Sequence, residues 1–204
     1  MKNKLATFEE GGFYHVYNRA NGSEKLFLSD DNYQYFLKKY ESYLNPFLDT
    51  FCYCLMPNHF HLLVRVKNQN EFARDLQGFQ NLEGLDSAKL SVLISRQFSN
   101  FFNAYAKAFN KQHNRKGSLF MKPFKRKRIE DKKYLRRVIH YIHFNPVKAR
   151  LVNELEDWKY SSFPSLISKG KTKLCREEVI ELFENRSNFM YCHQTSPLLS
   201  EVEF

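Results

Sequence analysis

The 204-residue chain is short of the features that assign a protein quickly. Its four cysteines, at positions 52, 54, 175 and 192, show no CxxC pair and no zinc-ribbon spacing. That argues against both a disulfide scaffold and a cysteine-built zinc module. There is no HExxH pattern, no internal repeat and no low-complexity tract. No stretch approaches the ~18 apolar residues of a membrane span. The opening MKNKLATFEEGG lacks the apolar h-region of a secretory leader. These absences predict a soluble, cytoplasmic protein with reduced thiols and no membrane partner. Its length suits one domain with an elaboration.

What the chain has in quantity is aromatic and basic. Twenty Phe and twelve Tyr, but a single Trp, contribute to a hydrophobic share of 43%, enough for a sizeable core. The formal net charge is +10 with a pI near 9.4. Residues 111–150 hold 14 Lys and Arg against two acidic side chains, whereas the other 164 residues hold 18 against 20. The whole surplus lies in one stretch, which points to a polyanion such as nucleic acid.

Periodicity predicts the elements. GFYHVYNRA (12–20) alternates like a strand. A helix follows, capped by Asp30 or Asp31, with Tyr33, Phe36, Leu37, Tyr40 and Leu44 at helical spacing. TFCYCLM and HFHLLVRV flank Pro57-Asn58 and read as a hairpin, with Cys52 and Cys54 as buried strand thiols. Residues 67–88 read as a loop or short helix. An amphipathic helix spans about 88–111, and the basic run near Pro123 holds an edge strand. Asp131 caps a helix that stops near Asn145-Pro146. A short helix near REEVIELFE lies in the tail. The order predicts one α+β domain with a mostly antiparallel sheet.

Two motifs carry chemistry. In MPNHFHLLV, His59 and His61 lie two apart on one strand face, with Phe60, Leu62 and Val64 on the other. Two neutral imidazoles so placed can ligate a divalent cation, or can simply be half-buried histidines bonded to backbone. In YLRRVIHYIHFNP, Tyr134, Tyr141 and Asn145 share one border of the apolar stripe, while His143 lies on the other side. Tyr141 and Asn145 are an i,i+4 pair. Tyr141 reads equally as a helix-border aromatic, and Asn145 as a cap before Pro146.

MPNHFHLLV, YLRRVIHYIHFNPVKARLV and DWKYSSF, in that order, with YHVYNRANG near the start, resemble the REP-associated tyrosine transposases. These belong to the single-tyrosine HUH superfamily. The resemblance covers roughly residues 10–165, taken as a transposase-like domain 1–165 with a C-terminal extension 166–204. It implies a ferredoxin-like antiparallel sheet with helices packed on it, to which this chain adds an extra long helix. It also implies cleavage and rejoining of single-stranded DNA at hairpins through a covalent 5'-phosphotyrosine. Carried over by position, Tyr141 is the nucleophile and His59, His61 and Asn145 hold Mg2+ or Mn2+. Arg19, Arg115, Lys116, Lys122, Lys125, Arg126, Lys127, Arg128, Lys132, Arg136 and Arg137 are the expected DNA-binding residues, in a monomer or dimer. Two other readings stay open. One is a catalytically silent hairpin-binding protein on the same fold. The other is a small zinc hydrolase, ranked last because it lacks an obvious carboxylate ligand.

Overall fold

The computed structural model describes residues 5–75 and 85–197. Four strands form one antiparallel sheet: β1 (Phe13–Arg19), β2 (Leu48–Met56), β3 (His59–Val66) and β4 (Lys125–Ile129). Their order, β2-β3-β1-β4, is that of a ferredoxin-like sheet, as expected. The helices are α1 (Asp30–Leu44), α2 (Gln69–Asp75), α3 (Ser87–Gln112), α4 (Lys132–Lys148), α5 (Phe163–Ile167), α6 (Arg176–Leu182) and α7 (Arg186–His193). None of those described is long and apolar enough to cross a membrane. Part of the 67–88 segment lies outside the described residues, and the rest includes the short helix α2.

Strand alternation divides the core into two layers. Tyr14, Val16, Phe60, Leu62 and Val64 point to one face and pack on Phe36 and Tyr40 of α1 and on Ile94, Phe98, Phe101 and Tyr105 of α3. The opposite face carries Cys52, Cys54, Met56 and Leu63 beneath Leu135, Val138, Ile139 and Ile142 of α4. A bulge between Thr50 and Cys52 breaks strict alternation in β2. Thr50 therefore bonds Tyr40 of α1, while Phe51 and Cys52 both join the α4 layer. Both strand cysteines are buried and free.

Two helix ends differ from expectation. Helix α1 is preceded by Ser29, and Asp30 is its first residue rather than its cap. The Asp30 carboxylate is instead drawn to Lys159 and Tyr160, and the Leu28 amide is taken by the Asn32 side chain. Helix α4 begins as expected, with the Asp131 carboxylate accepting from the Tyr134 amide at 2.6 Å. It does not stop at Asn145-Pro146 but runs through to Lys148. Pro146 cannot donate to the Ile142 carbonyl. The Asn145 side chain turns back to that point, its Nδ2 lying 2.8 Å from the Tyr141 carbonyl and 3.5 Å from that of Ile142. The Ala149 amide then resumes the ladder on Asn145.

Candidate active site

The face under α4 gathers the polar residues. Cross-strand register sets Lys125, Tyr17, His61 and Cys54 in one row, and Lys127, His15, Leu63 and Cys52 in the next. Arg19 and His59 pair one row further along. Helix α4 packs mainly over β2 and β3, which leaves the β1–β4 side of this face open. The result is a cleft of about 970 Å³ lined by Tyr17, Arg19, His59, His61, Lys125 and Tyr141 among others.

His59 and His61 do share a face, with ring centroids 5.1 Å apart and planes at 86°. Burial holds His61 well below the ordinary histidine pKa, and His15 and His59 add to the effect. Burial, with the nearby Arg19 charge, lowers His59 to about 4. Both rings are thus neutral at pH 7, the state in which a ring nitrogen can donate a lone pair. His59 Nδ1 lies 2.7 Å from Asn58 Oδ1. A carboxamide oxygen only accepts, so this contact puts the proton on Nδ1 and the lone pair on Nε2. His61 Nδ1 lies 2.9 Å from Nε2 of His15, itself lowered to about 3 by burial and then by Lys127.

Tyr141 stands across from this pair. Its ring centroid is 5.5 Å from that of His61, edge to face at 81°, and 6.4 Å from that of His15. The side chain is 9% exposed. Burial raises its pKa, a hydrogen bond with the Asn145 side chain lowers it, and neighbouring Tyr17 raises it again. At neutral pH the phenol keeps its proton. Tyr134, two turns earlier, lies 2.9 Å from Lys127 Nζ instead. His143 is absent from this site, as expected from its side of the helix. It is fully buried behind α4, bonded to His193 and Ser162 at 2.9 Å each.

The donor set can be tested against the cation that the resemblance implies. Among the described residues, no group of three His, Cys, Asp or Glu is arranged to hold a metal. The pair therefore does not form a closed structural zinc site. Two neutral imidazoles suit a borderline divalent cation that shares its remaining positions with water or phosphate oxygens, and the Asn145 side chain bonds the Tyr141 carbonyl through Nδ2. The imidazoles can hold Mn2+ with oxygen ligands in its other positions, and they are a poorer match for Mg2+.

The basic residues separate by face. Lys125 and Lys127 are exposed on the site side, over the rings of Tyr17 and Tyr134. Arg19 and Lys122 line the cleft. Arg126 and Arg128 alternate to the other face. Arg126 bonds the Ala6 carbonyl and, at 3.1 Å, Ser95 Oγ, while Arg128 pairs with Glu9 and Glu130. Arg115 is a loop staple held by Glu24, Asn110 and the Ser118 carbonyl. Arg136 bonds the Leu182 carbonyl. Lys116 and Lys132 are exposed, and Arg137 is half-buried. His15 and Tyr17 belong to the site although neither stood among the expected site residues. The signal was present in the alternation of GFYHVYNRA, which sets both on one face.

Over 167 residues the chain is 29% identical to a Haemophilus influenzae protein named "Putative REP-associated tyrosine transposase", covering 80% of this chain and 86% of that one. It is homologous to a REP-associated tyrosine transposase. A solved REP-associated tyrosine transposase bound to a REP hairpin shares the fold, with a TM-score of 0.55 at 17% identity over 83% of this chain and 87% of that one. No family model matches the sequence. The transposase homologue and the shared fold agree with the resemblance carried by the three sequence motifs.

Proposed function

We propose that the chain cleaves and rejoins single-stranded DNA beside hairpins, with Tyr141 as the attacking group. The observation that carries this reading is the position of the Tyr141 ring, 5.5 Å from that of His61, in a cleft edged by Lys125 and Arg19. The hairpin bound in the solved transposase supports the choice of DNA.

Lys125, Lys127, Arg19 and Lys122 hold the phosphate backbone and bring one phosphodiester to the mouth of the cleft. His59, His61 and Asn145 would hold a divalent cation, which when bound would supply positive charge against the anionic phosphodiester. Tyr141 Oη forms a bond to phosphorus as its proton leaves, and the 3'-oxygen of the upstream nucleotide departs as a hydroxyl. A tyrosyl phosphodiester at the 5' end remains. Its bond energy is retained, so another 3'-hydroxyl can reverse the step without a nucleotide cofactor. Packing of Tyr141 among His15, His61 and Tyr17 limits the approach of water, which favours tyrosine over hydrolysis.

The test is incubation with labelled single-stranded hairpins and Mn2+. A DNA adduct that survives boiling in detergent is expected from the wild type and lost from Tyr141→Phe, which keeps the ring and its packing. An adduct mapped to any residue other than Tyr141 refutes the assignment. Hairpin binding without any adduct supports the silent-binder alternative.

A further inference from the structure

His15 comes from β1, opposite Leu63, and is 1% exposed. Its ring lies 5.0 Å from those of both Tyr17 and His61, which are 5.9 Å from each other, so the three rings form a triangle. Its Nε2 approaches Nδ1 of His61 to 2.9 Å in a setting closed to water. From these contacts we infer that His15 is a positioning residue which accepts the Nδ1 proton of His61 in a hydrogen bond and so leaves His61 Nε2 as the lone-pair nitrogen. The inference rests on the metal role proposed above for His61.

Two neutral imidazoles joined by one hydrogen bond share one proton between the facing nitrogens. If His15 donated, His61 would carry its proton on Nε2 and both of its ring nitrogens would be spent. If His15 accepts, Nε2 is open to a cation and the ring plane is held. A metal-binding histidine generally needs such a partner on its other nitrogen, and losing that partner weakens metal affinity about 10–100-fold. His59 offers the parallel case, with Asn58 Oδ1 on its Nδ1. The two candidate ligands thus take their second bonds from different parts of the chain, His59 from the hairpin turn and His61 from the neighbouring strand.

The role can be read without DNA or catalysis, by Mn2+ titration followed by electron paramagnetic resonance of the free ion. His15→Phe keeps an aromatic ring against Tyr17 and removes the acceptor. His15→Leu removes the ring as well. His15→Gln restores an oxygen near the place of Nε2. The Phe and Leu variants are expected to bind Mn2+ about 10–100-fold more weakly than wild type, with Gln returning most of the affinity. Urea unfolding identifies which variants are folded, and only those are compared. A folded Phe or Leu variant with wild-type affinity overturns the inference and leaves the metal reading intact. Equal weakness of Gln and Phe also overturns it, since shape alone would then matter. A wild type that binds no Mn2+ overturns the metal reading and this inference together.

Discussion

His193, at the end of α7, lends itself to a quantitative test of how the C-terminal helices are fastened to the core. Its Nε2 faces His143 Nδ1 at 2.9 Å and its Nδ1 faces the Phe189 carbonyl at 2.7 Å. Burial depresses its pKa from 6.5 to about 3, with the Phe189 bond opposing the shift and His140 adding to it. A depressed folded pKa means that the unfolded chain takes up the proton first. The stabilisation is therefore complete above pH 6.5 and is lost as pH falls toward 3. Each unit below 6.5 costs about 1.4 kcal/mol, so at pH 5 this one residue costs ~2 kcal/mol. His193→Gln keeps an amide near His143 but cannot titrate. Urea unfolding at pH 7.5 and pH 5.0, at fixed ionic strength, gives the comparison. The variant is expected to be less stable at pH 7.5, with the gap to wild type narrowing by ~2 kcal/mol at pH 5.0, or about 1 M in midpoint. Histidines other than His143 and His140, which feel the His193 charge, titrate alike in both proteins and cancel in the difference. A gap that does not change with pH would refute the reasoning.

Three further outcomes are expected. His59→Ala and His61→Ala should each abolish divalent-dependent cleavage in a gel assay while leaving hairpin affinity largely intact, and a parallel loss of both in a folded variant would mark a structural role. Neutralising Lys125 and Lys127 together should flatten the log–log salt dependence of hairpin binding by about 1.4–1.8, for two phosphates at ~0.7–0.9 each. Neutralising Arg126 and Arg128, already committed to Ala6, Ser95 and Glu9, should change that slope little and lower the unfolding midpoint instead.

Much of this was legible in the residues, for reasons that differ by feature. Alternation alone set His59 and His61 on one face, because the strand period is two and MPNHFHLLV is long enough to show it. The α4 border of Tyr141 and Asn145 followed from the 3.6-residue period. What alternation could not supply was register. His15 reaches His61 only because β1 pairs with β3 so that Tyr17 faces His61, and nothing in either strand alone fixes that pairing. The basic run was read as one surface because charge carries no record of face, whereas in β4 successive residues point opposite ways. Proline at 146 was expected to end its helix. The preceding asparagine folds its side-chain amide onto the Tyr141 carbonyl and only grazes the Ile142 carbonyl that lost its donor, and the helix crosses the proline all the same, which propensity does not register.

The two outer strands of the sheet are guarded by different means. β4 presents Lys and Arg on both faces, an arrangement that discourages further strands from docking. β2 is apolar and needs a physical cover, which the C-terminal segment supplies: Ser161 bridges Cys54, Leu174 bridges Thr50, and the Leu55 amide is met by the Tyr160 carbonyl. Helices α6 and α7 then seat Val179, Phe183 and Phe189 in the same layer as Tyr141. A chain shortened after residue 165 would lose the Leu174 bridge and uncover part of a hydrophobic edge. Two such chains would then present matching bare strand edges, a template for edge-to-edge aggregation.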